Sequence, residues 1–383
     1  MSAMPRPSQL RLVRAQVHEV TWQLEGVGAA RRLGAHERRG ALLHLTWDLD
    51  GKPVHGLGEA APLPGDDADA QLAALPQVAR ALAEPSRAPA DDGPGEPEAC
   101  AALARALAEP WPAVRFALET ALLSGLAQRR GVALAQLLHA SPAPSVPVNA
   151  VVATVEEAAA AWARGIRCFK VKLGADTAAD ARTLHALRSR FPRARLRGDV
   201  NRGWPADEVR ARLQALAPAG LEYVEEPCAD LATALARGEP WPVPVALDES
   251  ALALPTRDLT EALRSPQVAA LVMKPTCAGG LSACRALAAL AARAGKPAVV
   301  THALEGPVAF AACAELARAL APSQPGSAAL AVGLHHHPGL VAWSVTAPQL
   351  GRGEVVAAQE AGLGLELRWG ELLPRPPTEE ASR

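Results

Sequence analysis

Five charged residues close five successive apolar runs of this sequence, and their types and order point to proton transfer at a metal centre. The runs end Phe169-Lys170-Val171-Lys172, Arg197-Gly198-Asp199-Val200-Asn201, Val224-Glu225-Glu226-Pro227, Leu247-Asp248-Glu249-Ser250 and Val272-Met273-Lys274-Pro275. Three carboxylates gathered at one place repel one another unless a cation lies between them. Oxygen-only donors from three strands suit Mg2+, which leaves octahedral positions for water and substrate; Mn2+ is the expected substitute. Lysines flank the acidic set on both sides. A buried lysine beside another cation has a lowered pKa and serves as a base. Any one of these charges alone reads better as the start of a solvated loop. Five in this sign order do not.

For these residues to meet, the apolar runs must be strands that end on one side. From about residue 146, short apolar runs alternate with alanine-rich amphipathic helices: 146–152, 168–173, 195–200, 221–226, 243–248, 269–273, 297–302 and 328–334. Eight runs spaced by about 20–30 residues fit a (β/α) barrel, because parallel strands need helical crossovers and the chemistry of such barrels sits where strands end. An open doubly wound sheet shows the same alternation, but no G-x-G-x-x-G turn marks a nucleotide site. Strands alternate faces, so Lys170 and Lys172 point the same way. The N-terminal part reads differently. Residues 10–24 and 41–47 alternate as strands, and Asp50-Gly51 turns into a third strand over 53–59. Helices follow over 67–82, 97–108 and 112–130, with Gly131 as a stop, and 84–96 reads as a surface loop.

The 383 residues are 49% hydrophobic, enough for a large core, and carry a formal net charge of −1. That balance gives no reason to expect nucleic acid or an anionic membrane as partner. The six cysteines show neither C-x-x-C nor disulfide-like spacing, and the N-terminus lacks the basic-plus-apolar pattern of a signal peptide. A soluble cytoplasmic protein acting on a small molecule is expected; the oligomeric state stays open.

The ordered set K-x-K, D-x-N, E-E-P, D-E-S and K-P-T resembles the enolase superfamily. Within it the chain is similar to the muconate lactonizing branch, and most to the o-succinylbenzoate synthases. Gly58-Glu59-Ala60-Ala61-Pro62-Leu63-Pro64-Gly65 resembles the family's loop from a capping domain over the barrel mouth, and Val114-Arg115-Phe116-Ala117-Leu118-Glu119-Thr120-Ala121 its helix before the barrel. The resemblance implies an α/β fold with a modified (β/α)8-type barrel, (β/α)7β. An α+β N-terminal capping domain covers 1–130, the barrel covers 131–345, and about 345–383 pack back on the cap. It implies Asp199, Glu225 and Asp248 as metal ligands, Lys172 as the base for a substrate α-proton, and Lys274 on the opposite face. Lys170 would lower the pKa of Lys172 and touch the substrate carboxylate.

A carboxylate substrate agrees with the physics, because a metal on its oxygens favours the dianion formed by proton loss over the ground state. Arg197, Thr301, Glu305 and Gly333 are the further expected substrate contacts. The implied reaction is dehydration to an aromatic product in menaquinone biosynthesis. The rivals are an N-acylamino acid racemase or dipeptide epimerase using the same lysines, a cycloisomerase, and, outside enzymes, a binding or scaffold barrel.

The resemblance thins after the sixth strand. Thr301-His302-Ala303-Leu304-Glu305-Gly306-Pro307 keeps only a hydroxyl and Glu305 of the synthases' serine-rich stretch and E-S-S. Gly333-Leu334-His335-His336-His337 stands where an acidic residue usually follows G-L. Adjacent histidines would point apart, which favours a mouth loop over a metal site. His302 reads equally as a substrate contact and as a structural histidine.

Overall fold

The computed structural model of the chain describes residues 10–24, 37–84, 96–236, 238, 240–323, 330–341, 343 and 350–368. The expected loop at 84–96 falls almost wholly outside them, as do residues 369–383. Strands β1 (Leu10–Gln23), β2 (Glu37–Leu49) and β3 (Lys52–Ala60) form an antiparallel sheet in that order. The hairpin between β2 and β3 turns at Asp50 and Gly51, both with positive φ (52° and 82°), as its two-residue connection requires. Period two puts Leu43, Leu45 and Trp47 on one face, all buried. That face lies on the helix Pro112–Arg130, which ends at Gly131 with φ 66° as expected. The approach is so close that a Cβ at Gly56 or Gly58 would strike the carbonyl of Ala121 or Ala117.

The barrel sheet is parallel. Strands β5 (Asn149–Val151), β6 (Cys168–Lys172), β7 (Arg195–Asp199), β8 (Tyr223–Glu225), β9 (Val245–Leu247), β10 (Val268–Met273) and β11 (Ala298–Val300) lie in sequence order. Among the described residues the eighth run contributes two bridges, Val332 to Val148 and Gly333 to Thr301, and they touch both edges of the sheet and close the ring. The run expected over 146–152 is divided. Its first part, β4 (Ser145–Pro147), pairs outside the barrel with β12 (Glu354–Val356). Leu134 N–H donates to the Gly362 carbonyl and Gly362 N–H to that of Val132, so part of the C-terminal segment packs behind the helix stop. Tyr223, Ala246, Ala270, Val272 and Val299 fill the interior of the ring, while Phe169, Val171 and Leu196 face the outer helices. Among the described residues no helix is long and apolar enough to cross a membrane. None of the six cysteines forms a disulfide, and five of them are buried.

Candidate active site

The strand ends meet as their periodicity requires. Lys172 pairs in register with Asp199, and Asp199 with Glu225; Asp248 follows β9 directly and Lys274 follows β10 directly. Lys170 Nζ lies 2.7 Å from Asp199 Oδ2 and 2.8 and 2.9 Å from the two Glu225 oxygens. Lys172 bonds the same Asp199 oxygen and reaches Asn201 Oδ1 at 2.8 Å. On the other side of the acidic set, Lys274 bonds Asp248 and lies 3.2 Å from Glu249 Oε1. Asp199, Glu225 and Asp248 are 1, 2 and 4% exposed.

Electrostatics separate the three lysines. Burial lowers the Lys172 ammonium's pKa and Lys170 lowers it further, against the pull of Asp199. Burial opposes the charge of Lys170 too, but Asp199 and Glu225 outweigh it and hold that pKa up. Lys274 is likewise held up against burial by Asp248 and Glu249. Burial pushes the Asp248 carboxyl up despite Lys274, with Glu225 and Glu249 adding repulsion.

The second acid of each pair serves differently. Glu226, 0% exposed, accepts the Asp248 N–H at 2.8 Å and bonds both N–H and hydroxyl of Ser250, while Arg202 approaches at 3.3 Å. It holds the Asp248 turn. Asn201, Arg202 and Glu226 all have positive φ (50°, 63° and 41°), a concentration of left-handed backbone at two adjacent strand ends.

Three buried oxygen donors from adjacent strands fit a hard divalent cation. Among the described residues, no group of three acidic, His or Cys side chains is drawn together as a formed metal cluster. Lysine ammonium groups hold the carboxylates instead. The donor chemistry fits Mg2+, and the repulsion on Asp248 is of the kind a shared cation relieves.

The other expected contacts scatter. Arg197, 1% exposed, sits two residues below Asp199; its Nε donates to Glu222 at 2.6 Å and its Nη1 to the Ala331 carbonyl at 2.7 Å. Its guanidinium also lies over Tyr223, 4.8 Å from the ring centre. These partners belong to the barrel wall. Thr301 and Gly333 meet directly, the Thr301 hydroxyl donating to the Gly333 carbonyl at 3.1 Å. Glu305 is fully buried beneath the cap. The three histidines do point apart: His335 lies 3.4 Å from Arg164, whereas His337 stacks on His302 with ring centres 4.9 Å apart. His302 accepts the Leu304 N–H at 2.9 Å and packs near Phe310, a structural setting. The sequence reading missed Arg38, buried against the cap–barrel seam. Its neighbours Glu37 and Arg39 are exposed, and strand alternation was the one available signal.

A closed ring of parallel strands under an antiparallel cap, with lysines and acids at the strand ends, defines a barrel of the (β/α)7β class. Residues 153–371 match the Enolase C-terminal domain-like family, and the chain belongs to that family. It is 38% identical over 203 residues to o-succinylbenzoate synthase of Thermobifida fusca, covering 50% of this chain and 61% of that one. The o-succinylbenzoate synthase of Mycobacterium tuberculosis H37Rv is 36% identical over 183 residues, covering 46% and 54%. The chain therefore matches somewhat more than half the length of these relatives. Among solved structures, the muconate lactonizing enzyme of Pseudomonas putida superposes with a TM-score of 0.76 at 21% identity, covering 94% and 98% of the two chains. A dipeptide epimerase of Methylococcus capsulatus, complexed with Mg and L-Arg-D-Lys, gives 0.73 at 25% identity, covering 93% and 99%.

Proposed function

We propose that the chain is a metal-dependent carbon–oxygen lyase of o-succinylbenzoate synthase type, acting in menaquinone biosynthesis. The observation that carries this reading is the placement of Lys172 and Lys274 on either side of Asp199, Glu225 and Asp248, in a chain whose curated relatives are such synthases. Asp199, Glu225 and Asp248 would hold Mg2+, or Mn2+ in its place, which when bound supplies positive charge where the substrate carboxylate gains negative charge.

Lys172, once its bond to Asp199 is given up, takes the α-proton through Nζ. The C–H electron pair passes into the carboxylate, giving an enediolate. The Lys172 ammonium then returns the proton to the departing hydroxyl; the C–O bond breaks, water leaves, and the new double bond completes an aromatic ring. Lys274 stays protonated and faces the developing charge from the other side. Lys170, locked between Asp199 and Glu225, holds both acids in place and disfavours a charge on Lys172.

A second reading is an N-acylamino acid racemase or dipeptide epimerase, in which Lys172 and Lys274 exchange the α-proton on opposite faces. It is favoured by the fold shared with the dipeptide epimerase. Incubating the Mg2+-loaded protein in D2O with the cyclohexadiene precursor and with N-succinyl amino acids separates the two. Aromatisation of the first establishes the lyase; deuterium entry into the second alone establishes the racemase. Inertness toward both overturns both readings.

A further inference from the structure

The strand starts, at the opposite end of the barrel from Lys172 and Asp199, carry a second concentration of charge. A cavity of about 130 Å3 lies there, and Arg167, Cys168, Arg195, Ala331, Arg352 and Glu354 are among the residues that line it. Cys168 and Arg195 are the first residues of β6 and β7 and pair in register. Arg352 arrives from the C-terminal segment, two residues before β12. The two stretches of backbone cross closely at the rim: a Cβ at Gly353 would strike the Gly165 carbonyl, and one at Gly165 the Arg352 carbonyl.

The cavity adjoins a buried charge that its neighbours do not fully meet. Arg197 stands two residues beyond Arg195 on the same face of β7 and is 1% exposed. Its Nη1 donates to the carbonyl of the lining residue Ala331 at 2.7 Å and to Asn149 Oδ1 at 3.4 Å. Its Nη2 is buried with no hydrogen-bond partner among the described residues. Burial opposes the charge of this guanidinium, while Tyr223, the lining Cys168 and Glu222 hold it charged. Glu222 is shared between two arginines, 2.6 Å from Arg197 Nε and 3.7 Å from Arg195 Nη1. Arg167 is fixed in place by stacking on Trp162, 3.9 Å from the ring centre, and by donating from Nη1 to the carbonyls of Trp162 and Ile166. Four guanidinium groups therefore gather at this cavity against the carboxylates of Glu222 and Glu354.

A buried charge is costly unless it is paired, and the surplus here is positive. A water molecule would meet the Nη2 N–H and leave that surplus in place, whereas an anion meets both. Guanidinium forks match the paired oxygens of a tetrahedral oxyanion. The volume is well below the roughly 300 Å3 at which sites for drug-sized ligands begin. It suits a small ion and excludes a nucleotide.

We propose that the cavity at the strand starts binds a small dianionic oxyanion of phosphate type, held by Arg167, Arg195, Arg352 and the buried Nη2 of Arg197. Bound there, the ion ties the C-terminal segment to the floor of the barrel. The site is separate from the strand ends and does not depend on the reaction proposed for them.

The test is calorimetric titration of the full chain with inorganic phosphate and with sulfate at constant ionic strength, with and without Mg2+. Saturable binding of a single ion is expected, with the same affinity in both conditions. Arg352→Gln and Arg195→Gln, each changed at a side chain that reaches solvent, are expected to fold and to weaken binding tenfold or more. Glu354→Gln removes a lining carboxylate and should tighten binding several-fold, a sign that a merely structural role would not produce. The wild-type melting temperature should rise with phosphate but not with chloride, and rise less in Arg352→Gln. Glycerol 3-phosphate, titrated alongside, distinguishes a free ion from the head of a larger ligand; binding of either through these arginines supports the site. No saturable binding, binding that requires Mg2+, or an affinity unchanged in both arginine variants overturns the proposal.

Discussion

Glu59 and Gly306 lie 247 positions apart and are joined by a 2.6 Å hydrogen bond across the two halves of the molecule. The same carboxylate accepts the N–H groups of Val308 and Ala309 at 3.1 and 3.0 Å. It thus caps the helix Pro307–Leu320 from outside that helix, giving three donors at its start an acceptor. Glu59→Ala leaves them buried and unmet and is expected to cost about 2–4 kcal/mol. Glu59→Gln should cost less, and urea unfolding monitored by circular dichroism measures both.

Lys172→Ala and Lys274→Ala are expected to abolish turnover, by at least about a thousandfold. Secondary structure should stay close to wild type, while the melting temperature of the metal-free variants should fall, since Asp199 and Asp248 each lose a buried ion-pair partner. Full activity in Lys172→Ala would contradict its role as base.

Removal of divalent metal by dialysis against EDTA should abolish the proposed turnover, and Mg2+ or Mn2+ should restore it. Asp199→Asn and Asp248→Asn are each expected to raise the metal concentration needed for half-activation by tenfold or more. An unchanged metal requirement in both variants counts against these ligands.

Acid should destabilise the protein through its buried histidines from about pH 6.5 downward. Burial, then His55, His18 and Arg14, hold the His44 imidazole down to about 4; burial also holds His302 down to about 3. A histidine whose folded pKa is depressed contributes its full stability above the unfolded value of about 6.5. That contribution is lost as pH falls toward the folded value, because unfolding then takes up a proton. Each such residue steepens the fall by up to about 1.4 kcal/mol per pH unit. Unfolding free energies at pH 7, 6, 5 and 4.5 should show this slope, with His44→Gln reducing it by about one proton.

Gly58→Ala should destabilise by about 2–4 kcal/mol. The added methyl meets the Ala117 carbonyl, which belongs to a helix and cannot turn aside. The same change at Gly131 or Gly51 meets no neighbour, so its cost comes from positive φ alone. Thermal melts of the three variants rank these effects.

The acidic strand ends were legible because strand periodicity fixes direction: once 168–172 is a strand, Lys170 and Lys172 must share a face. The long antiparallel hairpins were legible for the same reason. The eighth strand was not, since two bridges at Val332 and Gly333 suffice to close the ring where an apolar run suggested a full strand. Nor could sequence show that Val146 and Ala150 belong to different sheets, because the run 146–152, mostly apolar around Asn149, reads as one strand. Arg197 drew attention by its place before Asp199, but its hydrogen bonds are set by Glu222 and Ala331, which only the ring brings near. Arg38 went unnoticed because its burial needs Glu305 and its surroundings on the barrel side as well as Trp22 and Ala61 near it in sequence.

The helix Pro112–Arg130 belongs to neither half alone. It carries the sheet on one side, while Arg115 donates to the carbonyls of Ala278 and Gly279 and Glu119 accepts the Ser282 N–H at 2.9 Å. A chimera spliced at residue 131 would import, with any foreign cap, the side chains that anchor the turn just after Lys274. Cap exchange between homologues would therefore transplant part of the active-site scaffold, and compatible grafts must match at Ala278–Ser282 as well as at the seam.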